Sequence, residues 1–178
     1  MPTKHYPLSS DIDATCNSGI GVDRDMTKTA LGGATADTFN VAGVTSYTEQ
    51  ASYMIDVSGD SPITGSQTYN LSIDLTALAK ADVRFRIRAV NDTGCVRTNS
   101  SGYQEYLVAA GTGIKTFSLT LDFTAADERL ELAVEGREQS GAHGTRSITI
   151  SVDDDDTWVE APWPAAAAVT KGSLIYHG

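Results

Sequence analysis

The chain has 178 residues, a formal net charge of −10 at pH 7 and a sequence pI near 4.5. That acidity removes the positive field on which phosphate-backbone binding relies, so it excludes a nucleic-acid-coating role. No run approaches the roughly 18 consecutive apolar residues of a membrane helix, and MPTKHYPLSSDIDATC carries no apolar signal core, so no membrane partner and synthesis in the cytoplasm are expected.

Residues 1–37 are rich in Thr, Asp, Gly and Ala, with LGGATAD at 31–37 reading as a flexible connector. They are expected to form an N-terminal arm that either orders against a neighbouring subunit or packs on its own domain. From about residue 50 the hydrophobic period becomes two, the period of a strand with one dry and one wet face. Tyr53, Ile55 and Val57 begin the series, followed by Tyr69, Leu71, Ile73 and Leu75, and then by Val83, Phe85, Ile87 and Ala89. Phe117, Leu119, Leu121 and Phe123 repeat it, as do Leu130, Leu132 and Val134, and finally Ile148, Ile150 and Val152.

Turn chemistry separates these runs: SGDSPITG at 58–65, NDTG at 91–94, AGTG at 110–113 and REQSGAHG at 137–144. TALAKAD at 76–82 and TAADERL at 124–130 are each long enough for one helical turn and too short to cross between parallel strands. The expectation is an all-β domain over residues 38–159, an antiparallel β-sandwich of jelly-roll type. Residues 160–178, EAPWPAAAAVTKGSLIYHG, are expected to form a C-terminal arm.

Arg84, Arg86 and Arg88 alternate along one strand and share one face, and Arg97 can join them across the NDTG turn. Asp122, Glu131 and Glu135 also alternate outward, so cross-strand ion pairs can answer the row. The other reading of these arginines is recognition of an acidic neighbour or an anionic sugar. Among aromatics, Tyr47, Tyr103 and Tyr106 lie in or near loops and suit a carbohydrate platform, whereas Tyr6, Trp163 and Tyr176 lie in the arms and suit a subunit interface.

Asp153 to Asp156 are the densest charge, but they lack the spacing of a calcium loop. Asp153 and Asp155, which share one face of an extended segment, are weak metal candidates beside the reading of a solvated strand end. GTGIKT at 111–116 has the wrong spacing for a phosphate loop and reads as a turn opening a strand. His5, His143 and His177 sit in no nucleophile or metalloprotease motif, so no catalytic residue and no cofactor are expected. Cys16 and Cys95 fit no CxxC spacing and, without a secretory route, are expected to be reduced thiols.

VRFRIRAVNDTG, GIKTFSLTLDF, ADERLELAVEGR and HGTRSITISVDDDDTWVEAPW, taken in that order, resemble the β-sandwich virion structural proteins of tailed bacteriophages. The resemblance spans about residues 50–163; Glu128 stands where those proteins carry glycine or aspartate before the arginine. It implies a non-enzymatic virion component assembled in the bacterial cytoplasm, with capsid or other virion proteins as partners and a homo-oligomeric state, a trimer being one form. It implies first a capsid decoration protein, and as the alternative a head- or tail-fibre module that binds cell-surface carbohydrate.

Overall fold

A computed structural model describes residues 2–10, 22–60, 64–91, 95–141 and 144–163. It is all-β, with no α-helix among the described residues. Twelve strands follow in chain order: β1 (Thr3–Pro7), β2 (Val22–Thr27), β3 (Thr35–Asn40), β4 (Thr48–Asp56), β5 (Gly65–Ala79), β6 (Ala81–Asn91), β7 (Val96–Ser100), β8 (Gln104–Tyr106), β9 (Gly113–Phe123), β10 (Arg129–Glu138), β11 (Ser147–Val152) and β12 (Trp158–Ala161).

Hydrogen bonding links them in the order β3-β11-β5-β12-β1-β2-β4-β10-β6-β7, with β9 alongside β5 and β8 alongside β6. Two long strands organise the halves. In the first half, β5 pairs with β9 from Gly65 to Leu75 on one edge and with β12 and β11 on the other. In the second, β10 lies between β4 and β6 and pairs with both over most of its length. The short β1–β2 ladder, Tyr6 opposite Thr27 and Pro7 opposite Met26, joins the halves.

Period-two patterning sends Tyr69, Leu71, Ile73 and Leu75 of β5, Val83, Phe85 and Ile87 of β6, and Leu130, Leu132 and Val134 of β10 into one core cluster. Phe85 stacks on Phe117 of β9, ring centroids 6.0 Å apart, although β6 and β9 share no ladder. The two halves therefore share one dry interior. The chain passes from β5 to β6 at Lys80, which takes a left-handed backbone (φ 49°) so that consecutive strands enter different halves.

Three expectations are corrected. The sheet is mixed, not wholly antiparallel, because β2 runs parallel to β4. Residues 76–82 make no helical turn: β5 continues to Ala79, and its pairing of Leu78 with Ile148 outweighs the helical propensity of Ala and Leu. Residues 124–130 likewise form a turn, in which the Asp127 carboxylate accepts from the Thr124 amide (2.6 Å) and hydroxyl (2.8 Å), and β10 follows directly.

Of the two readings of the N-terminal arm, the described part follows the one that packs on its own domain. The described part of residues 1–37 is woven into the sheet: β1 pairs with β12 and β2, β2 with β4, and β3, which starts inside the expected connector, with β11. Backbone groups without a partner in the interior cost more than the entropy of ordering these short strands. In the C-terminal segment, the described residues 160–163 also belong to the body of the fold; residues 164–178, including Tyr176 and His177, lie outside the described residues.

Candidate functional site

The pleat that sends Phe85 and Ile87 inward turns Arg84, Arg86 and Arg88 to the opposite face of the sheet. The β6–β10 register then sets Glu135 opposite Arg84 and Glu131 opposite Arg88. Glu135 alone receives three guanidinium groups: Arg84 Nε at 2.5 Å, Arg86 Nε at 2.8 Å and Arg88 Nη2 at 3.1 Å. Glu131 takes Arg88 Nη1 at 3.1 Å, Arg97 Nη2 at 2.6 Å and the Ser52 hydroxyl at 2.7 Å. Glu49, brought onto this face by a register shift of β4 against β10 between Val134 and Glu135, takes Arg88 Nη1 at 2.5 Å and Arg97 Nη2 at 2.7 Å.

This face is not wet. Arg88 is 8% exposed and Glu131 0%. The Arg88–Glu131 pair is therefore an interior one, for which removing a single partner is far more damaging than at an exposed site. Burial opposes the charge of Arg97, but its bonds to Glu131 and the nearby Glu49 outweigh this and hold it more firmly protonated than an ordinary arginine.

Beside the network runs an alternating stack. The Arg84 guanidinium carbon lies 4.5 Å from the ring centroids of both Tyr103 and Tyr47, and Arg137 lies 4.4 Å from Tyr47. Arg137 is held by Asp82 at 3.1 Å and lies 3.7 Å from Glu105, and the Tyr47 hydroxyl donates to Glu105. Burial, followed by that hydrogen bond, pushes the Tyr47 phenol well above the ordinary tyrosine range. With Arg137, Asp82 and Glu105 included, five guanidinium groups answer five carboxylates within one chain.

Of the three tyrosines of the expected carbohydrate platform, Tyr47 and Tyr103 flank the Arg84 guanidinium and Tyr106 stands apart. Tyr103 is 53% exposed, Tyr47 is enclosed by guanidinium groups, and Tyr106 packs with Phe85 and Phe117 at the edge of the core. A cleft of about 420 Å³ opens beside Arg137 and Asp82, lined further by Thr45, Glu138, Gln139, Ser140 and Gly141.

The arm aromatics are also redistributed. Tyr6 is buried in β1, and Trp163 is fully buried between Tyr69 (5.5 Å, edge-on) and Phe123 (5.1 Å). Both side chains therefore serve this chain's own interior, which corrects the expectation that they project as anchors. Asp153 accepts the Ser9 amide at 3.0 Å; burial opposes its charge, but this bond outweighs burial and holds its carboxyl below the usual aspartate range. Asp154 caps the bend, accepting from the amides of Asp156 (3.2 Å) and Thr157 (3.0 Å). No group of three or more His, Cys, Asp or Glu among the described residues is placed to hold a metal.

Cys95 is disulfide-bonded. That corrects the expectation of reduced thiols; the sequence has one other cysteine, Cys16, which lies outside the described residues, as does His143. Sequence reasoning also missed Glu49, whose place depends on a bulge, and a groove around Trp158 on the first half. There Lys4 of β1 faces Glu160 of β12, Glu160 faces Asn70 of β5, and Asn70 faces Ser118 of β9. Asn70 Nδ2 donates to Glu160 Oε2 (3.1 Å), Ser118 donates to Asn70 Oδ1 (2.8 Å), and Lys4 Nζ stands 4.0 Å over the Trp158 ring.

No family model matches the chain, and no curated protein matches it. Two crystal structures of a CocE/NonD family hydrolase from Staphylococcus aureus are similar to it, with TM-scores of 0.49 and 0.48 and sequence identities of 10% and 9%. Each alignment covers 92% of this chain, and 37% and 36% of the hydrolase respectively, so the chain spans little more than a third of that protein's length.

Proposed function

We propose that the chain is a non-enzymatic structural component of a tailed-bacteriophage virion, a two-layer β-sandwich that acts through its surfaces. The observation that carries this reading is the self-contained charge face. Arg84, Arg86, Arg88 and Arg97 are committed to Glu49, Glu131 and Glu135 of the same chain. Such a network rigidifies a scaffold, whereas acid–base catalysis needs a titratable group open to its substrate. The layering is supported by Phe85 on Phe117 and by a core drawn from both halves. The segments that resemble virion proteins fall on β6, β9, β10 and β11–β12, the framework of the fold.

Within this reading the chain is a capsid decoration protein, with capsid subunits and further copies of itself as partners. Tyr6 and Trp163 are internal, so contacts between subunits use sheet edges instead. β9 is suited to this, since it pairs only with β5 among the described strands. The second reading, a head- or tail-fibre module that binds carbohydrate, is favoured by the exposed ring of Tyr103 on the Arg84 stack.

Quantifying the chain in purified particles tests both. Copies on the order of hundreds per particle support decoration, and a few to a few dozen support a fibre. Absence from the particle overturns the virion reading.

A further inference from the structure

We propose that the outer face of β12, β5 and β9 is a binding groove for a neutral sugar, a mono- or disaccharide, whether or not the chain belongs to a virion. The groove is an open trough of about 350 Å³ lined by Trp158, Glu160, Asn70, Thr116 and Ser118, together with Leu71 and Phe117. That is at the lower end of the roughly 300–1,000 Å³ of small-molecule sites.

Its chemistry follows from the register. The strands align Lys4, Glu160, Asn70 and Ser118 in one row across the sheet, and Trp158, Ser72 and Thr116 in the next. The row is linked internally yet keeps free valences on its outer side. Glu160 engages only Oε2, Asn70 spends one of its two amide hydrogens on that oxygen, and Ser118 donates its proton to Asn70 and keeps its lone pairs. The row thus offers an acceptor, a donor and a second acceptor in succession, the polar groups that hold sugar hydroxyls. The exposed remainder of the half-buried Trp158 indole, one ring face of which lies under Lys4 Nζ at 4.0 Å, supplies apolar surface for sugar C–H groups.

Charge selects a neutral ligand. Glu160 is the one charged group of the lining, Lys4 stands opposite it in register just outside and offsets its charge, and the remaining polar lining groups are an amide and hydroxyls. An anionic sugar would meet the Glu160 carboxylate, and a cationic one would meet Lys4.

The two tryptophans make the test direct, because Trp163 is sealed in the core and Trp158 lines the groove. The full-length chain is titrated with glucose, galactose, N-acetylglucosamine, cellobiose, lactose and chitobiose, each to about 50 mM, while tryptophan emission is followed. At least one sugar is expected to give a saturable change, and Asn70→Ala and Glu160→Ala are each expected to weaken it at least tenfold with near-ultraviolet circular dichroism unchanged. Should either variant fail to fold, Ser118→Ala, at an exposed position, takes its place. Lack of saturation with every sugar, or binding that survives both variants, overturns the proposal. Neither result bears on the copy number that tests the virion reading.

Discussion

Glu131 of β10 stands directly opposite Arg88 of β6, its carboxylate 3.1 Å from the guanidinium, and it is fully buried while Arg88 is nearly so. Such a pair costs much desolvation and returns it only while every member is present. Glu131→Ala leaves Arg88 as a buried cation and Arg97 as a half-buried one, each short of a partner, so it is expected to cost about 3–5 kcal/mol in urea unfolding. Replacing Arg88 and Glu131 together by Met and Leu should cost much less than Glu131→Ala alone. A double replacement as damaging as the single one would show that packing, and not charge, limits this site.

Trp163→Ala is expected to destabilise the isolated chain by about 3–5 kcal/mol, since the indole is fully buried between Tyr69 and Phe123. Thermal unfolding of the purified chain reads this. An unchanged midpoint, with loss confined to oligomerisation, would restore Trp163 to the role of an interface anchor.

Gly136 lies where β10 passes the interior. A Cβ there would overlap Ile148 Cδ1 and stand 2.9 Å from Val41 Cγ1, both on fully buried side chains. Gly136→Ala should therefore cost about 1–3 kcal/mol through overpacking. Adding Ile148→Val, which withdraws the offending methyl, should recover part of the loss.

His5 is buried in β1, and burial, then the nearby positive charge of Lys28, lowers its pKa from 6.5 to about 4. The folded state thus binds its proton more weakly than the unfolded state. Stability from this residue is complete above pH 6.5 and drains away as pH falls toward 4, by up to about 3 kcal/mol. His5→Leu should flatten that part of the pH–stability curve. A histidine resonance of His5 titrating near 6.5 in the folded protein would contradict the assignment.

Because Cys95 is disulfide-bonded, the oxidised chain should show no free thiol to a thiol reagent until it is denatured and reduced. Reduction, or Cys95→Ser, is expected to lower stability by about 2–4 kcal/mol. Two reactive thiols in the untreated protein would refute this.

Much of the middle of the fold was legible because its strands obey period two without interruption. Tyr69, Leu71, Ile73 and Leu75 are all buried, as the alternation requires, and the same holds for the runs at Val83 and Leu130. GIKT opens β9, as the turn reading had it. β1, β2 and β3 were illegible because they are short and polar, with Lys4, Asp25 and Asp37 in strands whose order comes from partners distant in sequence. The charge network was half legible: the alternation gave Arg84, Arg86, Arg88, Glu131 and Glu135. Asp122 belongs to β9 and not to that face, and Glu49 entered through a bulge that no periodicity announces. The disulfide and the Trp158 groove depend on distances between remote segments, which spacing along one chain does not encode.

The antiparallel ladder of β1 with β12 places Thr3 beside Ala161. The first described strand and the last therefore lie side by side, while Trp163, two residues beyond Ala161, still belongs to the core. A circular permutant should therefore stay folded only if its linker starts beyond Trp163, so that the ring keeps its seat between Tyr69 and Phe123.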